Sequence, residues 1–492
     1  MSGRGPVVIA LDQGSSSSRA IAFDAAGRAV AAAQRPVRTR QPRPGWFEHD
    51  ALELARTIES SLDEVLAALP KAVEVAGVGL ACQRSTVVFW DAKTGKPAAA
   101  APSWQDGRAA EVIAPLQDRQ AWAHERTGLY LTPYYSGPKI RWFLENAPAV
   151  RRLADAGRLR IGPVSTWLVW RLTGGQVFAA DPTTAQRMML LDLRSLDWDP
   201  ELLSLFGVPR AALPEIRPSA GSWGSCRRRG RALPFLAAVG DQQAAALALG
   251  AGEPGASVAN YGTGAFFLHN TGEQSRRIPG LLTSAAPTAA GRPPQFLQEG
   301  TVHAAGTSFD WLRDNLGLLP RADAVDALCR KSGERIWALP AIGGLGAPRW
   351  DYATKTAFFG LTSRTTSADL VRGVCEGIAF LVADIVAAMR AAGARPGAAR
   401  VSGGLSRIGY LMQFQADLLG LPLSRCEGGQ GTALGAAALA ADQAGLAWSA
   451  RLRSPRVDRT FRPRMAEGQA QGLCRSWRAF VDAQAALSRA VG

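Results

Sequence analysis

The 492-residue sequence has no uninterrupted run of about 20 apolar residues, the length a membrane-spanning helix needs. Its best candidate, 369–393, is broken by Arg372, Glu376 and Asp384. No apolar leader precedes Val7 to Leu11, which is only strand-length. These absences lead us to expect a soluble, cytoplasmic protein with no membrane partner. The six cysteines (Cys82, Cys226, Cys329, Cys375, Cys426 and Cys474) form no CxxC pair and have no His at ligand spacing. That pattern argues against a zinc site and predicts reduced, buried thiols. The loop after the first strand contains neither GKS nor GKT, so it is not a Walker loop, and it lacks the G-x-G-x-x-G of dinucleotide folds.

What is present is an ordinary globular composition, 47% hydrophobic and 20% charged, on a chain longer than one core usually supports. Two domains are therefore expected. The chain is strongly basic, with a net charge of +15 and its densest run in "CRRRGR" (226–231). A nucleic-acid binder would gather such charge and interleave it with aromatics. Here the other arginines are spread along the chain, so solvated faces explain them and no nucleic-acid partner is expected. Anionic small substrates suit the charge equally well.

The opening stretch "VVIALDQGSSSSRAIAFD" (7–24) reads as a buried strand, a long polar turn and a hairpin partner beginning at Arg19. Residues 50–69 read as a helix: Asp50 can cap it, Leu54, Ile58, Leu62, Val65, Leu66 and Leu69 share a face, and Pro70 stops it. "VEVAGVGLACQ" (73–83) is a further strand. The same grammar returns in "ASVANYGTGAFFLHN" (256–270), which reads strand, Gly/Thr turn, strand, and in "ARVSGGLSRIGYLMQFQADLLG" (399–420), which reads strand, Gly-Gly turn, helix. "GTALGAAALAAD" (431–442) predicts a small-residue helix able to pack very closely. The pattern is α/β with two architecturally similar halves, divided near 245–255.

Three polar loops are candidates for holding an anion. In the first, Asp12 ends a strand where a carboxylate can hold a cation, Gly14 permits close approach, Ser15 to Ser18 offer hydroxyls and N–H groups, and Arg19 offers a fork of donors. Phosphate with Mg²⁺ needs this mixture, though a serine-rich turn is also simply a turn. In the second, Gly262 and Gly264 flank Thr263, which is equally compatible with a β-turn. In the third, Gly403-Gly404 leaves a backbone gap before a helix, suited to a nucleotide. Asp241, in "AAVGDQQAAALALG" (237–250), stands at a strand-to-helix junction. There it can cap the helix or act as a general base.

The order of "LDQGSSSSRA" (11–20), "TGLYLTPYYSGPKIRWFLEN" (127–146), "GDQQAA" (240–245), "NYGTGAFFLHNTG" (260–272), "AGTSFDWLRDN" (305–315), "GGLGAPRWD" (343–351), "LMQFQADLLG" (411–420) and "TALGAA" (432–437) resembles the FGGY family of carbohydrate kinases, within it the glycerol kinase branch, over nearly the whole chain. The resemblance implies two ribonuclease-H-like (actin-like ATPase) domains around a central cleft, with residues 1–248 and 249–492 as the N- and C-terminal domains. It implies ATP-dependent phosphorylation of a hydroxyl on glycerol or a related polyol, with ATP and Mg²⁺ as cofactors and a homodimer or homotetramer as the assembly. Position by position, it makes Asp241 the catalytic base and, with Asp12, a metal ligand. Ser15, Ser16 and Arg19 would bind the phosphate chain, and Thr263, Gly306 and Gly404 the nucleotide. Arg84, Trp104, Tyr134, Asp241, Gln242 and Phe266 would form the acceptor pocket.

Some positions depart from the family pattern. Ser85 follows Arg84 where glycerol kinases carry Glu, which removes a carboxylate acceptor and enlarges the pocket. Ser85 is thus a substrate-site residue that favours an alternative acceptor: a ketose, a pentulose or a longer sugar alcohol. Ile408 and Gly409 stand where the branch has an Asn pair near the nucleotide, and Gly373 and Cys375 also differ. The regulatory sugar-phosphate loop of the bacterial enzymes is replaced by "SCRRRGRALP" (225–234). A catalytically weak ATP-binding switch is a further alternative, disfavoured because a binder needs no general base.

Overall fold

The computed structural model describes residues 5–453 and 455–491. The all-buried strand Val7–Gln13 is central to a six-stranded sheet. It pairs antiparallel with Ser17–Phe23, from Val8 opposite Phe23 to Gln13 opposite Ser18. The polar turn is consequently shorter than expected: only Gly14 to Ser16 lie outside the ladder, closed by Gly14 N donating to Ser17 O at 2.9 Å. Ser17 and Ser18 belong to the strand, and the Ser18 hydroxyl is buried against Thr57 Oγ1 at 2.8 Å. Burial of Ala20, Ala22 and Phe23 on either face pulls the serine run into the sheet.

The first sheet runs Ser225–Arg228, Arg231–Gly240, Val75–Cys82, Val7–Gln13, Ser17–Phe23, Ala29–Pro36. The second, seven-stranded, runs Leu282–Ala285, Phe296–Val302, Ala265–Gly272, Ser257–Tyr261, Ala399–Ser402, Leu423–Cys426, Val457–Phe461. In both, an antiparallel hairpin is extended by strands parallel to its first member. The two halves thus share a topology despite unlike residues.

The helix Ala51–Ala68 covers the first sheet. Asp50 caps it, accepting from Leu52 N at 2.8 Å and Glu53 N at 3.3 Å. Its buried Leu54, Ile58 and Leu62 each contribute about 1.5–3 kcal/mol by leaving water. The basic run 226–231 is partly engaged beside this helix: Arg228 pairs with Glu59 at 3.1 Å, and Arg231 donates to Val73 O at 2.7 Å. The acidic residues that break the apolar stretch 369–393 are also satisfied within the helix Ser367–Ala391 and its neighbours. Glu376 pairs with Arg372 at 2.8 Å, and Asp384 accepts from Trp477 Nε1 at 2.9 Å. No described helix is long and apolar enough to cross a membrane.

The halves interlock. The helix Gly431–Gln443, from the second half, packs on the first sheet and on the helix Asp241–Ala248. In the other direction, Arg187 Nη2 donates to Glu299 Oε2 at 2.5 Å and Ser284 Oγ at 2.6 Å, while Thr283 N donates to Gly128 O at 2.9 Å. Both members of the Arg187–Glu299 pair are buried. Each therefore depends on the other, since an unpaired charge there would cost several kcal/mol.

The contact between Gly431–Gln443 and Asp241–Ala248 exists because Gly435 has no side chain. A Cβ there would overlap the Ala244 carbonyl oxygen, which is backbone and cannot swing aside. Gly435→Ala is expected to destabilise the fold by about 1–3 kcal/mol or more. Denaturant unfolding of the variant, compared with the parent, measures the loss.

Candidate active site

The parallel strands of the first sheet end together. Gln13 stands opposite Cys82, and Cys82 opposite Gly240. Asp12 sits one residue before this line, Asp241 one after it, and Arg84 two after it. Carboxyl ends of parallel strands are where α/β folds expose ligand-binding groups.

Gly240 ends its strand and its N–H donates to Thr183 Oγ1 at 2.7 Å. Thr183 is itself held by the fully buried Asp181, which also accepts from Thr184 Oγ1 at 2.6 Å and Ser219 Oγ at 2.8 Å. The junction before Asp241 is therefore rigid. Asp241 is the first residue of its helix rather than the cap, a position occupied by Gly240. Its Oδ1 accepts from Gln242 N at 2.7 Å and lies 3.5 Å from Arg84 Nε. Burial raises its pKa above the ordinary carboxylate value, and the Arg84 guanidinium opposes that rise. Arg84 also donates to Gln242 Oε1 and, at 3.2 Å, to Gln243 Oε1.

Asp12 is buried and accepts from Arg19 Nη2 at 2.6 Å. Burial raises its pKa; Arg19 lowers it and the negative charge of Asp241 raises it further. The two carboxylates thus sense each other. Ser15 and Ser16 lie at the turn above them, the Ser16 carbonyl accepting from Val37 N at 2.9 Å.

A cavity of about 240 Å³ brings Asp241 and Gln242 together with Asn260, Phe266 and Thr432 of the second half. At the end of the strand Ser257–Tyr261, Gly306 N donates to Gly262 O and Ala305 N to Thr263 O, both at 3.0 Å. A Cβ on Gly306 would sit 2.7 Å from Gly262 O, and one on Gly403 would overlap Tyr261 O. Thr263 and Gly306 are therefore adjacent, and Gly403, the residue before Gly404, packs against the strand end that leads to Thr263. Between Gly404 and the helix Gly409–Leu419 lies a 3-10 turn, Gly404–Arg407, so the Gly-Gly gap does not open directly onto that helix as expected.

Arg84 links this cavity to the remaining residues. Ser85, Trp104 and Tyr134 lie outside the cavity lining. They are brought together by Lys139, whose Nζ donates to Ser103 O at 2.5 Å, Tyr134 O at 2.6 Å and Ser85 O at 3.4 Å. Trp104 and Tyr134 each leave 45% of their surface exposed, as ligand-facing aromatics would and core aromatics would not. Burial lowers the Lys139 ammonium to about 7, with Asp106 opposing the fall and Arg108 adding to it.

Lys139, Arg187, Glu299 and Asn260 are site neighbours that the sequence alone does not reveal. Lys139 and Asn260 fall inside the quoted motifs, but their partners are distant in sequence. For Arg187 and Glu299 the only signal was a pair of charges in largely apolar surroundings.

The family model described as "FGGY family of carbohydrate kinases, N-terminal domain" matches residues 7–248, and the corresponding C-terminal domain model matches 257–444. The glycerol kinase of Rhodospirillum centenum is 41% identical over 487 residues, covering 96% of this chain and 97% of that protein. That of Polaromonas naphthalenivorans is 41% identical over 486 residues, with the same coverage. Among solved structures, Plasmodium falciparum glycerol kinase with ADP superposes with a TM-score of 0.92 at 28% identity, covering 98% of each chain. A xylulose kinase from Rhodospirillum rubrum shares the fold, with a TM-score of 0.88 at 24% identity over 98% of this chain and 100% of that one. With its two halves sharing one topology and both domain models matched in order, the chain belongs to the FGGY family of carbohydrate kinases.

Proposed function

We propose that this protein transfers the γ-phosphoryl group of ATP to a hydroxyl of glycerol or a related polyol. The observation that carries the reading is Asp241 at a rigid strand-to-helix junction, beside Arg84 and within reach of the charge of Asp12, lining a cavity that Phe266 enters from the other half.

Phosphoryl transfer depends mainly on positioning and charge neutralisation. Asp241 accepts the proton of the acceptor hydroxyl as its oxygen attacks the γ-phosphorus. Arg84 and Gln242 bond the other hydroxyls and orient the chain. Trp104 and Phe266 press on the carbon skeleton, with Tyr134 closing the pocket. The backbone and hydroxyls of Ser15 and Ser16 face the phosphates. Arg19 is suited to join them, because its Nε is buried without a hydrogen-bond partner. Thr263, Gly306 and Gly404 hold the nucleotide from the second half.

The donor set fits Mg²⁺. Asp12 and Asp241 are two hard oxygen donors whose mutual repulsion a divalent cation would relieve, the remaining positions falling to phosphate oxygens and water. When bound, that ion supplies neutralisation of the phosphate charge.

A second reading rests on Ser85. It is buried at φ 64°, a left-handed conformation uncommon for a residue with a side chain, where the glycerol kinase branch carries Glu. The shorter side chain leaves room and removes an acceptor, which favours a ketose, a pentulose or a longer sugar alcohol over glycerol.

Asp241→Asn is expected to lower kcat by about 10²–10⁴-fold while ATP still binds, read by steady-state kinetics and calorimetry. Loss of ATP binding with no specific effect on transfer would assign Asp241 to the scaffold instead. ATP consumption screened against polyols, ketoses and aldoses separates the two acceptor readings. If the Ser85 reading holds, an acceptor longer than glycerol turns over best, and Ser85→Glu lowers the KM for glycerol by about tenfold, the worth of one restored hydrogen bond. Glycerol turning over best in the unaltered protein rejects it.

A further inference from the structure

Lys139 is fully buried, yet the acceptor chemistry proposed above assigns it no step. Although burial lowers its pKa to about 7, three carbonyl oxygens surround Nζ, and only the ammonium form, with three N–H donors and no lone pair, serves all three. Here each donor has a backbone carbonyl: Ser103 O at 2.5 Å, Tyr134 O at 2.6 Å and Ser85 O at 3.4 Å. Among the described residues no carboxylate lies within ion-pair distance of Nζ. The neighbouring Asp106 is already committed, accepting twice from Arg108 at 2.8 Å and once from Phe47 N at 2.7 Å.

A buried cation without a contacting counter-ion is costly. A methionine would fill the same volume without that cost, so packing alone does not explain the charge. What the charge does provide is a junction. The three carbonyls come from three separate segments, and each segment carries an acceptor-pocket residue: Ser85 follows Arg84, Ser103 precedes Trp104, and Tyr134 contributes its own carbonyl.

The bracing extends beyond the ammonium. Ser136 Oγ, from the same helix as Lys139, donates to Ser85 O at 3.2 Å, so two donors hold the carbonyl of the one pocket residue with positive φ. Trp104 N donates to Thr86 Oγ1 at 3.0 Å, joining the first two segments directly. The helix Ser136–Asn146 thereby fixes the backbone under Arg84, Ser85, Trp104 and Tyr134 from behind.

We propose that Lys139 is the positioning residue of the acceptor pocket, tying its three wall segments into one shape without touching the substrate. This rests on the reading that Arg84, Ser85, Trp104 and Tyr134 face the acceptor. The tie itself is a separate physical claim and is tested separately.

The experiment compares the full-length protein with Lys139→Met, which keeps the volume and removes all three donors, and Lys139→Gln, which keeps two. Glycerol and ATP are the kinetic probes, and amide hydrogen exchange is the structural one. Lys139→Met is expected to raise the KM for glycerol by about tenfold or more while the KM for ATP stays within about twofold, with Lys139→Gln between. Exchange is expected to quicken in 83–88, 102–106 and 132–137 and to stay unchanged in the strands of both sheets. A rise of both KM values together, an unchanged glycerol KM in a folded variant, or quickened exchange throughout the first half would overturn the proposal. If Lys139→Met does not fold, the same readings on Lys139→Gln decide. If the unaltered protein phosphorylates no polyol or sugar, the proposed function fails, while the exchange pattern still supports or rejects the tie.

Discussion

Two carboxylates placed at the ends of two parallel strands that lie on either side of a third govern this structure. Asp12 and Asp241 flank the strand Val75–Cys82, close enough for the charge of one to raise the pKa of the other, and each is compensated by its own arginine. Such an arrangement is unfavourable in an empty apolar setting and becomes useful when a cation and a phosphate chain are to be held. Much of the surrounding architecture serves to keep the pair in place. Asp181 and Thr183 fix the junction before Asp241, and the glycine at 435 lets a helix of the second half press on the Asp241 helix.

The two halves repeat one topology but, on the proposed reaction, divide the chemistry. The first supplies acids, arginines and the aromatic walls. The second supplies Phe266, Asn260 and the close-packed glycines at 262, 306 and 403. The contacts between them run in both directions: the helix Gly431–Gln443 lies on the first sheet, and Arg187 reaches Glu299 and Ser284. On the proposed reaction, nucleotide and acceptor are therefore each held by groups from both halves, whose relative placement is set by the packing of Gly431–Gln443 together with the buried polar contacts of Arg187.

Local signals made much of this legible from sequence. Asp50, the apolar spacing and Pro70 specify the helix Ala51–Ala68 because caps and periodicity act over a few residues. The change from an apolar run to a polar start places Asp241 at a strand-to-helix junction. The serine run reads as a longer turn than it is, because pairing with Val7–Gln13 and burial against Thr57 draw Ser17 and Ser18 into the sheet. Lys139 lies within a recognisable motif, but its role is invisible there, since the carbonyls it gathers lie 5, 36 and 54 residues away. Arg187 and Glu299, separated by 112 positions, form a pair that no local pattern announces. What escapes a single sequence is long-range polar pairing; what it displays is periodicity, capping and backbone gaps.

The most direct test of the central claim is a crystal structure with Mg²⁺, a non-hydrolysable ATP analogue and the acceptor selected by turnover. The result expected is one carboxylate oxygen of Asp241 within hydrogen-bond distance of the hydroxyl nearest the γ-phosphorus, with Asp12 on the metal side of the phosphates. An Asp241 side chain turned away from the acceptor, or separated from the turn at Ser15 and Ser16 by packed protein, would contradict it.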